Sequence, residues 1–296
     1  MNQQWEERFR RWAQSPSQSE SDRIQRTERA IREAIFASPA LKQRNTKVFV
    51  QGSYRNRTNV KRESDIDIGV LCFDTFFFDI PTQTTRQTFG ITEATYDYGQ
   101  FKNEVGAALA ARFGATSVSR GTKAFDIKES QSHVEADVAP FFEHRRYQSN
   151  GTYLSGVELR PDNGIPQRVI NWPEQHYVNG NNKNDRTARR YRALVRVLKN
   201  LCNEMDDDGI SAAKNVASFL IECLVWNVPD IRFARSTLAD DLREILIYLY
   251  ENTINDSKCG EWGEVSELKY LFRGPKKWTR QQANEFVAAA WQYVGY

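Results

Sequence analysis

Cysteine, histidine and methionine are scarce in this 296-residue chain, at four, three and two residues. Cys72, Cys202, Cys223 and Cys259 form no closely spaced pair, and His133, His144 and His176 are scattered. Those spacings argue against a structural zinc module and against a disulfide framework. Cys72 and Cys223 lie in apolar runs and read as buried thiols. Long hydrophobic runs are missing too: no stretch approaches the roughly 20 apolar residues of a membrane span. The opening segment MNQQWEERFRRW lacks the apolar core of a signal peptide, so the expectation is a cytoplasmic protein. One-sided charge is also absent, with 41 basic residues against 38 acidic and a formal charge of +3. A protein that coats nucleic acid carries a larger excess, so an anionic partner is expected in a local site.

What remains is a composition of 40% hydrophobic and 27% charged residues, enough for one large core or two packed lobes. No internal repeat stands out. After a polar break at 14–22, Ile24, Ala30, Ile31, Ala34 and Ile35 recur at helical spacing. KVFV at 47–50 predicts a strand, and Ile66, Ile68 and Val70 predict a second that ends near Phe73. A helix is expected over 92–113 with Gly114 as its stop, then strands at 116–119, 123–128 and 133–142. Residues 148–186, rich in Gly, Asn and Pro, read as loops. Helical patterns follow at 187–205, 211–227, 236–252 and 280–294. The expected class is α+β: a mixed lobe over 1–165 and a helical lobe over 166–296, with the site in the cleft between them.

The chemistry concentrates in Gln51–Val70. On a strand, Asp65 and Asp67 project to one face while Ile66 and Ile68 enter the core. Two close carboxylates repel unless a cation lies between them, and hard oxygen ligands suit magnesium. A two-metal phosphoryl-transfer site needs one further carboxylate. Asp137 in His133–Pro140 is the choice, with Glu135 on the same face as competitor. Gly52 and Ser53 precede Asp65 by a short loop, and glycine lets the backbone approach a phosphate that the hydroxyl and nearby N–H groups can bond. A helix starting near Ser53 would add its positive end. A lone Asp-x-Asp is weak evidence. The specific signal is Gly-Ser, eleven residues, Asp-x-Asp, then a strand aspartate seventy residues beyond Asp67.

Gly52-Ser53 with Asp65-x-Asp67 resembles the DNA polymerase β-like nucleotidyltransferase superfamily. Ile170–Gly180, Lys183-Asn184, Thr187–Lys199 and Ser218–Pro229 narrow the resemblance to the bacterial cGAS/DncV-like nucleotidyltransferases, in their clade E, over about residues 45 to 230. The resemblance implies a polymerase-β-like core braced by a long N-terminal helix, here residues 20–38, and packed against a C-terminal helical lobe. It implies template-independent joining of nucleoside triphosphates, UTP and ATP here, into a cyclic oligonucleotide for anti-phage defence. Two magnesium ions, replaceable by manganese, would serve the reaction. The effector would be reached through the product rather than by direct contact.

By the same resemblance Asp65, Asp67 and Asp137 fall on metal-binding carboxylates, and Gly52 and Ser53 on the triphosphate loop. Lys199 and Ser218 fall on triphosphate contacts, and Phe219 on a base-stacking aromatic. Asn171 falls where asparagine favours a pyrimidine, which implies a uridine-containing product such as cyclic UMP-AMP or cyclic di-UMP. Gln175, His176 and Asn179 are nearby candidates for touching a base. Bland readings stand beside these. Arg189, Arg192, Arg196 and Lys199 fit a solvated basic helix face, Phe219 fits a core aromatic, and Asn171 fits a cap for a helix begun by Trp172-Pro173. The DNA-gripping zinc module of the eukaryotic relative has no counterpart in the cysteine pattern, so activation by double-stranded DNA is not expected. Rival functions are a purine dinucleotide or cyclic trinucleotide synthase, a terminal nucleotidyltransferase acting on RNA or protein, and a non-catalytic nucleotide-binding scaffold.

Overall fold

Alternating apolar residues become strands through the first half of the chain, and the second half is helical, in a computed structural model that describes residues 2–15, 18–60, 65–130 and 134–296. Residues 16–17 of the expected polar break, 61–64 of the loop before Asp65, and 131–133 with His133 lie outside the described residues. Two helices, Asn2–Trp12 (α1) and Gln18–Ala37 (α2), precede a strand, Thr46–Val50 (β1), and a single helical turn, Gly52–Asn56 (α3). The strand Ile66–Asp79 (β2) runs past its expected end because Thr75–Phe78 keep an extended course after a register shift between Cys72 and Phe76. The helix Tyr98–Phe113 (α4) starts later than expected, at the point where the Asp97 carboxylate accepts hydrogen bonds from the N–H groups of Gly99 and Gln100. Its stop is Gly114, at φ 87°.

Val118–Arg120 (β3), Phe125–Ile127 (β4) and Ala136–Tyr147 (β5) answer the three expected strands. The stretch 148–186 is not a run of loops. It contains Tyr153–Leu159 (β6), Val169–Asn171 (β7) and the helix Pro173–Arg186 (α5). Composition hid them, because α5 is polar and held by tertiary packing. Its Gly180 lies under the Tyr191 ring, and Lys183 and Asn184 are buried despite their polarity. Lys183 Nζ donates to Val228 O at 2.7 Å and to Asp230 Oδ1 at 2.8 Å.

The helix Arg190–Asp207 (α6) begins after Ala188 and Arg189 take positive φ, which turns the chain out of α5. The pattern over 211–227 also breaks. A 3-10 turn at Ser211–Ala213 and a left-handed Asn215 leave only Ser218–Trp226 (α7) as helix. Leu238–Thr253 (α8), Asp256–Cys259 (α9) and Arg280–Val294 (α10) complete the chain. Among the described residues, no helix is long and apolar enough to cross a membrane. All four cysteines are free and buried.

The chain divides into two compact units. Ser17–Arg55 and Ser64–Pro173 form the sheet unit. There β2 pairs β1 antiparallel and β5 parallel, β4 and β3 extend the sheet beyond the first residues of β5, and β6 and β7 extend it beyond the last. Ile24, Ile31 and Ile35 of α2 join Ile66, Ile68 and Val70 of β2 in its core. Thr27 on α2 accepts from the Val134 N–H at 3.1 Å, which fixes the helix against the lead into β5.

Met1–Pro16, Asn56–Glu63 and Glu174–Tyr296 form the helical unit. The division is therefore discontinuous, unlike a single boundary near residue 165. The reason is apolar: Phe9 of α1 is fully buried with Leu198, Leu242 and Leu246, and Trp5 stacks on it at 5.3 Å. The charged residues of MNQQWEERFRRW disguised that stripe. Phe9→Ala should cost about 3–5 kcal/mol, read as a lower melting temperature and urea midpoint; an unchanged midpoint would detach α1 from this core.

Candidate active site

In the sheet unit three aspartates stand in one row across three strands. Asp67 of β2 is in register with Asp137 of β5, and Asp137 is in register with Asp126 of β4. Residues paired directly across a sheet share a face, with Cβ atoms about 5 Å apart. Ile66, Ile68, Ala136 and Val138 fill the opposite, buried face, as the alternation requires. Asp65, two residues before Asp67, projects to the same side as Asp67. Glu135, the competitor to Asp137, is exposed in the lead to β5, where its carbonyl accepts from the Ile66 N–H at 3.1 Å.

The row is electrostatically costly. Partial burial pushes the Asp137 pKa up, the hydrogen bond and charge of Asp126 push further, and the charges of Asp67 and Asp65 add to them; the result is about 7. Asp126 was not singled out in the sequence. The signal was there: Phe125 and Ile127 are buried, so Asp126 between them had to face the same way as Asp137.

Gly52 lies against this row. Its φ is +65°, and a Cβ placed on it would come within 2.0 Å of Asp67 Oδ2. Only glycine lets the backbone pass so close to the carboxylate, and the Gln51 N–H donates to Asp67 O at 2.8 Å to hold it there. Ser53 follows on α3. The helix expected near Ser53 is thus present but five residues long, so it offers local N–H groups rather than a macrodipole. Among the described residues, no three carboxylate, histidine or cysteine side chains gather tightly enough to make a ready-made metal cage. The donor chemistry nevertheless fits a hard divalent cation. The oxygens are carboxylates on neighbouring strands, and burial together with the neighbouring aspartates raises the pKa of one of them to about 7.

Asn171 is the last residue of β7, paired with Val157 of β6. The helix α5 starts at Pro173, so Trp172 and not Asn171 occupies the position before it. Trp172 is buried, with the His144 ring edge-on at 5.4 Å and the Arg146 guanidinium 4.5 Å from its ring centre. Gly156 admits it: a Cβ there would lie 2.6 Å from the indole and 2.8 Å from Asn171 O. These contacts fix where Asn171 leaves the sheet.

The helical unit holds Lys199, Ser218 and Phe219. Of the four residues that fit a solvated basic face, Arg189 is exposed, but Arg192, Arg196 and Lys199 are buried. Arg196 donates to the carbonyls of Ala13 and Arg57, and Arg192 to Asn181 Oδ1 at 2.5 Å, so both are structural. Phe219 is not a core aromatic: it is 36% exposed, between the rings of His176 at 5.8 Å and Trp278 at 5.9 Å. Ser218 is the first residue of α7, and Glu222, four residues on, carries a buried carboxylate that Lys199 acts on through its charge. Of the nearby candidates, Asn179 donates to Val265 O at 2.9 Å and is part of the scaffold, while His176 bonds Glu222 at 2.8 Å. Glu222 went unremarked in the sequence, although a lone carboxylate in SFLIECLVW was a visible anomaly.

Residues 178–295 match the model of the cGAS/DncV-like nucleotidyltransferase C-terminal helical domain. The cyclic dipyrimidine nucleotide synthase CdnE of Cecembia lonarensis is 42% identical over 98% of both chains. The cyclic dipurine nucleotide synthase of Elizabethkingia meningoseptica is 32% identical, again over 98% of each. The solved structure of Rhodothermus marinus CdnE c-UMP-AMP synthase with Apcpp and Upnpp superposes with a TM-score of 0.86 at 26% identity, covering 98% of this chain and 97% of that one. With the glycine and carboxylates held as described and full-length relatives of this similarity, the chain belongs to the cGAS/DncV-like nucleotidyltransferases, in their clade E.

Proposed function

We propose that this enzyme joins nucleoside triphosphates, UTP and ATP, into a uracil-containing cyclic dinucleotide that signals in anti-phage defence. The observation that carries the proposal is the pairing of Asp67 with Asp137, with Asp65 upstream and the Gly52 backbone against Asp67. Asp65, Asp67 and Asp137 would hold magnesium, or manganese in its place. When bound, the metal supplies charge to the triphosphate and lowers the pKa of the attacking sugar hydroxyl. The chain's own work is positional. Gly52 keeps backbone N–H groups within reach of a phosphate and Ser53 adds a hydroxyl donor. Lys199 is a point charge and Ser218 a second hydroxyl for phosphate oxygens, and the exposed Phe219 offers a stacking face for a base. Each of two successive steps joins a sugar hydroxyl to an α-phosphorus and releases pyrophosphate; the second closes the ring.

Asn171 supports uracil. A carboxamide pairs a donor and an acceptor with O4 and N3–H of that base. Its site in β7, fixed by Trp172 on Gly156, holds a reading group in place better than a loop would. The pyrimidine product named for the Cecembia lonarensis relative, at higher identity than the dipurine relative, points the same way.

Purified enzyme given all four triphosphates and magnesium should yield a phosphatase-resistant product with the mass of a uracil-containing cyclic dinucleotide. Asp67→Asn and Asp137→Asn should remove product while the melting curve stays cooperative; product from either variant would overturn the metal assignment. Asn171→Ser should shift incorporation away from UTP relative to ATP by about tenfold, measured by competition; an unchanged product ratio would overturn its role. Asp137 also sets a pH dependence. Its folded pKa of about 7 lies above the ordinary carboxyl value, so without metal its stabilising contribution is present at low pH and is lost as pH rises through about 7. Asp137 would have to give up that proton to hold magnesium, so added magnesium should raise the melting temperature more at about pH 8 than at about pH 6. In Asp137→Asn the difference should vanish.

A further inference from the structure

Glu222 is a carboxylate inside an apolar helix, 3% exposed, and it is fully engaged. Its Oε2 accepts from Thr58 Oγ1 at 2.9 Å and its Oε1 lies 2.8 Å from His176 Nε2. Burial alone would push its pKa up, but the charge and hydrogen bond of His176, then Lys199 and Thr58, outweigh burial and hold it down at about 2. An ionised carboxylate only accepts, so Nε2 of His176 is the donor in that hydrogen bond. Among the described residues, no hydrogen bond is made to the other ring nitrogen, Nδ1, and the side chain is only part-buried. The imidazole stands 5.8 Å from the exposed ring of Phe219. Ser218 and Phe219 begin the same helix one turn before Glu222, and the charge of Lys199 on α6 acts on that carboxylate. One buried charge therefore ties α5 and the segment carrying Thr58 to α7.

We infer that His176 is a further nucleotide-contacting residue, its Nδ1 edge meeting the nucleotide whose base lies on Phe219, and that Glu222 is the positioning residue that sets which edge His176 presents. The inference rests on the reading of Phe219 as a stacking face.

A glutamine separates the two jobs of His176. In His176→Gln the amide nitrogen replaces Nε2 and can still donate to Glu222, while the Nδ1 edge is lost. The full-length enzyme with magnesium is titrated with a non-hydrolysable UTP or ATP analogue by calorimetry. Binding of at least one should weaken about three- to tenfold, with the melting temperature unchanged. His176→Asn, which keeps a polar atom near the Nδ1 position, should recover part of the loss. Glu222→Gln should weaken binding too. Combined with His176→Gln it should give less than the product of the two separate losses, since the second residue acts through the first; a full product would overturn the role given to Glu222. Phe219→Ala is the control for the underlying reading. If it weakens binding and His176→Gln does not, His176 is a structural bridge and the inference falls alone. If neither variant weakens binding, the nucleotide-binding reading of α7 falls with it.

Discussion

Carboxylates on neighbouring strands repel, and the sheet unit holds Asp67, Asp137 and Asp126 in register regardless. The cost is borne by the apolar face beneath them, where Ile66, Ile68, Ala136 and Val138 are sealed from water. A one-residue slip of β2 against β5 would relieve the repulsion only by turning those side chains out. Burial therefore enforces the register, and the register enforces the charge density. The proton that Asp137 takes up near neutrality shows how far that enforcement goes. Gly52 completes the arrangement by bringing backbone where any side chain would strike Asp67.

The helical unit solves a different problem with the same means. Its α6 carries cations that a surface would solvate cheaply, yet it buries them. Arg196 spends its donors on the carbonyls of Ala13 and Arg57, tying together pieces of chain far apart in sequence. Lys199, three residues on, acts through its charge on the buried Glu222 carboxylate.

Much of this was legible in residue order. The alternation through Ile66–Val70 and Val134–Val138 fixed which aspartates share a face, and the helices of α2, α8 and α10 followed from their apolar spacing. What the order hid were elements stabilised from outside themselves. The polar α5 needs Tyr191 and Asp230, and the charged α1 needs the pocket around Phe9. The unbroken helical pattern over 211–227 concealed Asn215, whose left-handed backbone no periodicity reveals. Asp126 in the sheet unit and Glu222 in the helical unit were missed because each is defined by a partner distant in sequence, Asp137 for one and His176 with Thr58 for the other.

The stretch from Gly52 to Asp65 looks like an ordinary polar connection, the kind that accepts insertions freely. It is not one. Thr58, Asn59 and Val60 are buried, Arg57 lends its carbonyl to Arg196, and Thr58 is bound to Glu222. A residue added or removed within 57–60 would have to break one of those anchors. The length of 57–60 is therefore set by packing and hydrogen bonds along it, so a segment with the look of a hinge behaves mechanically as part of the core.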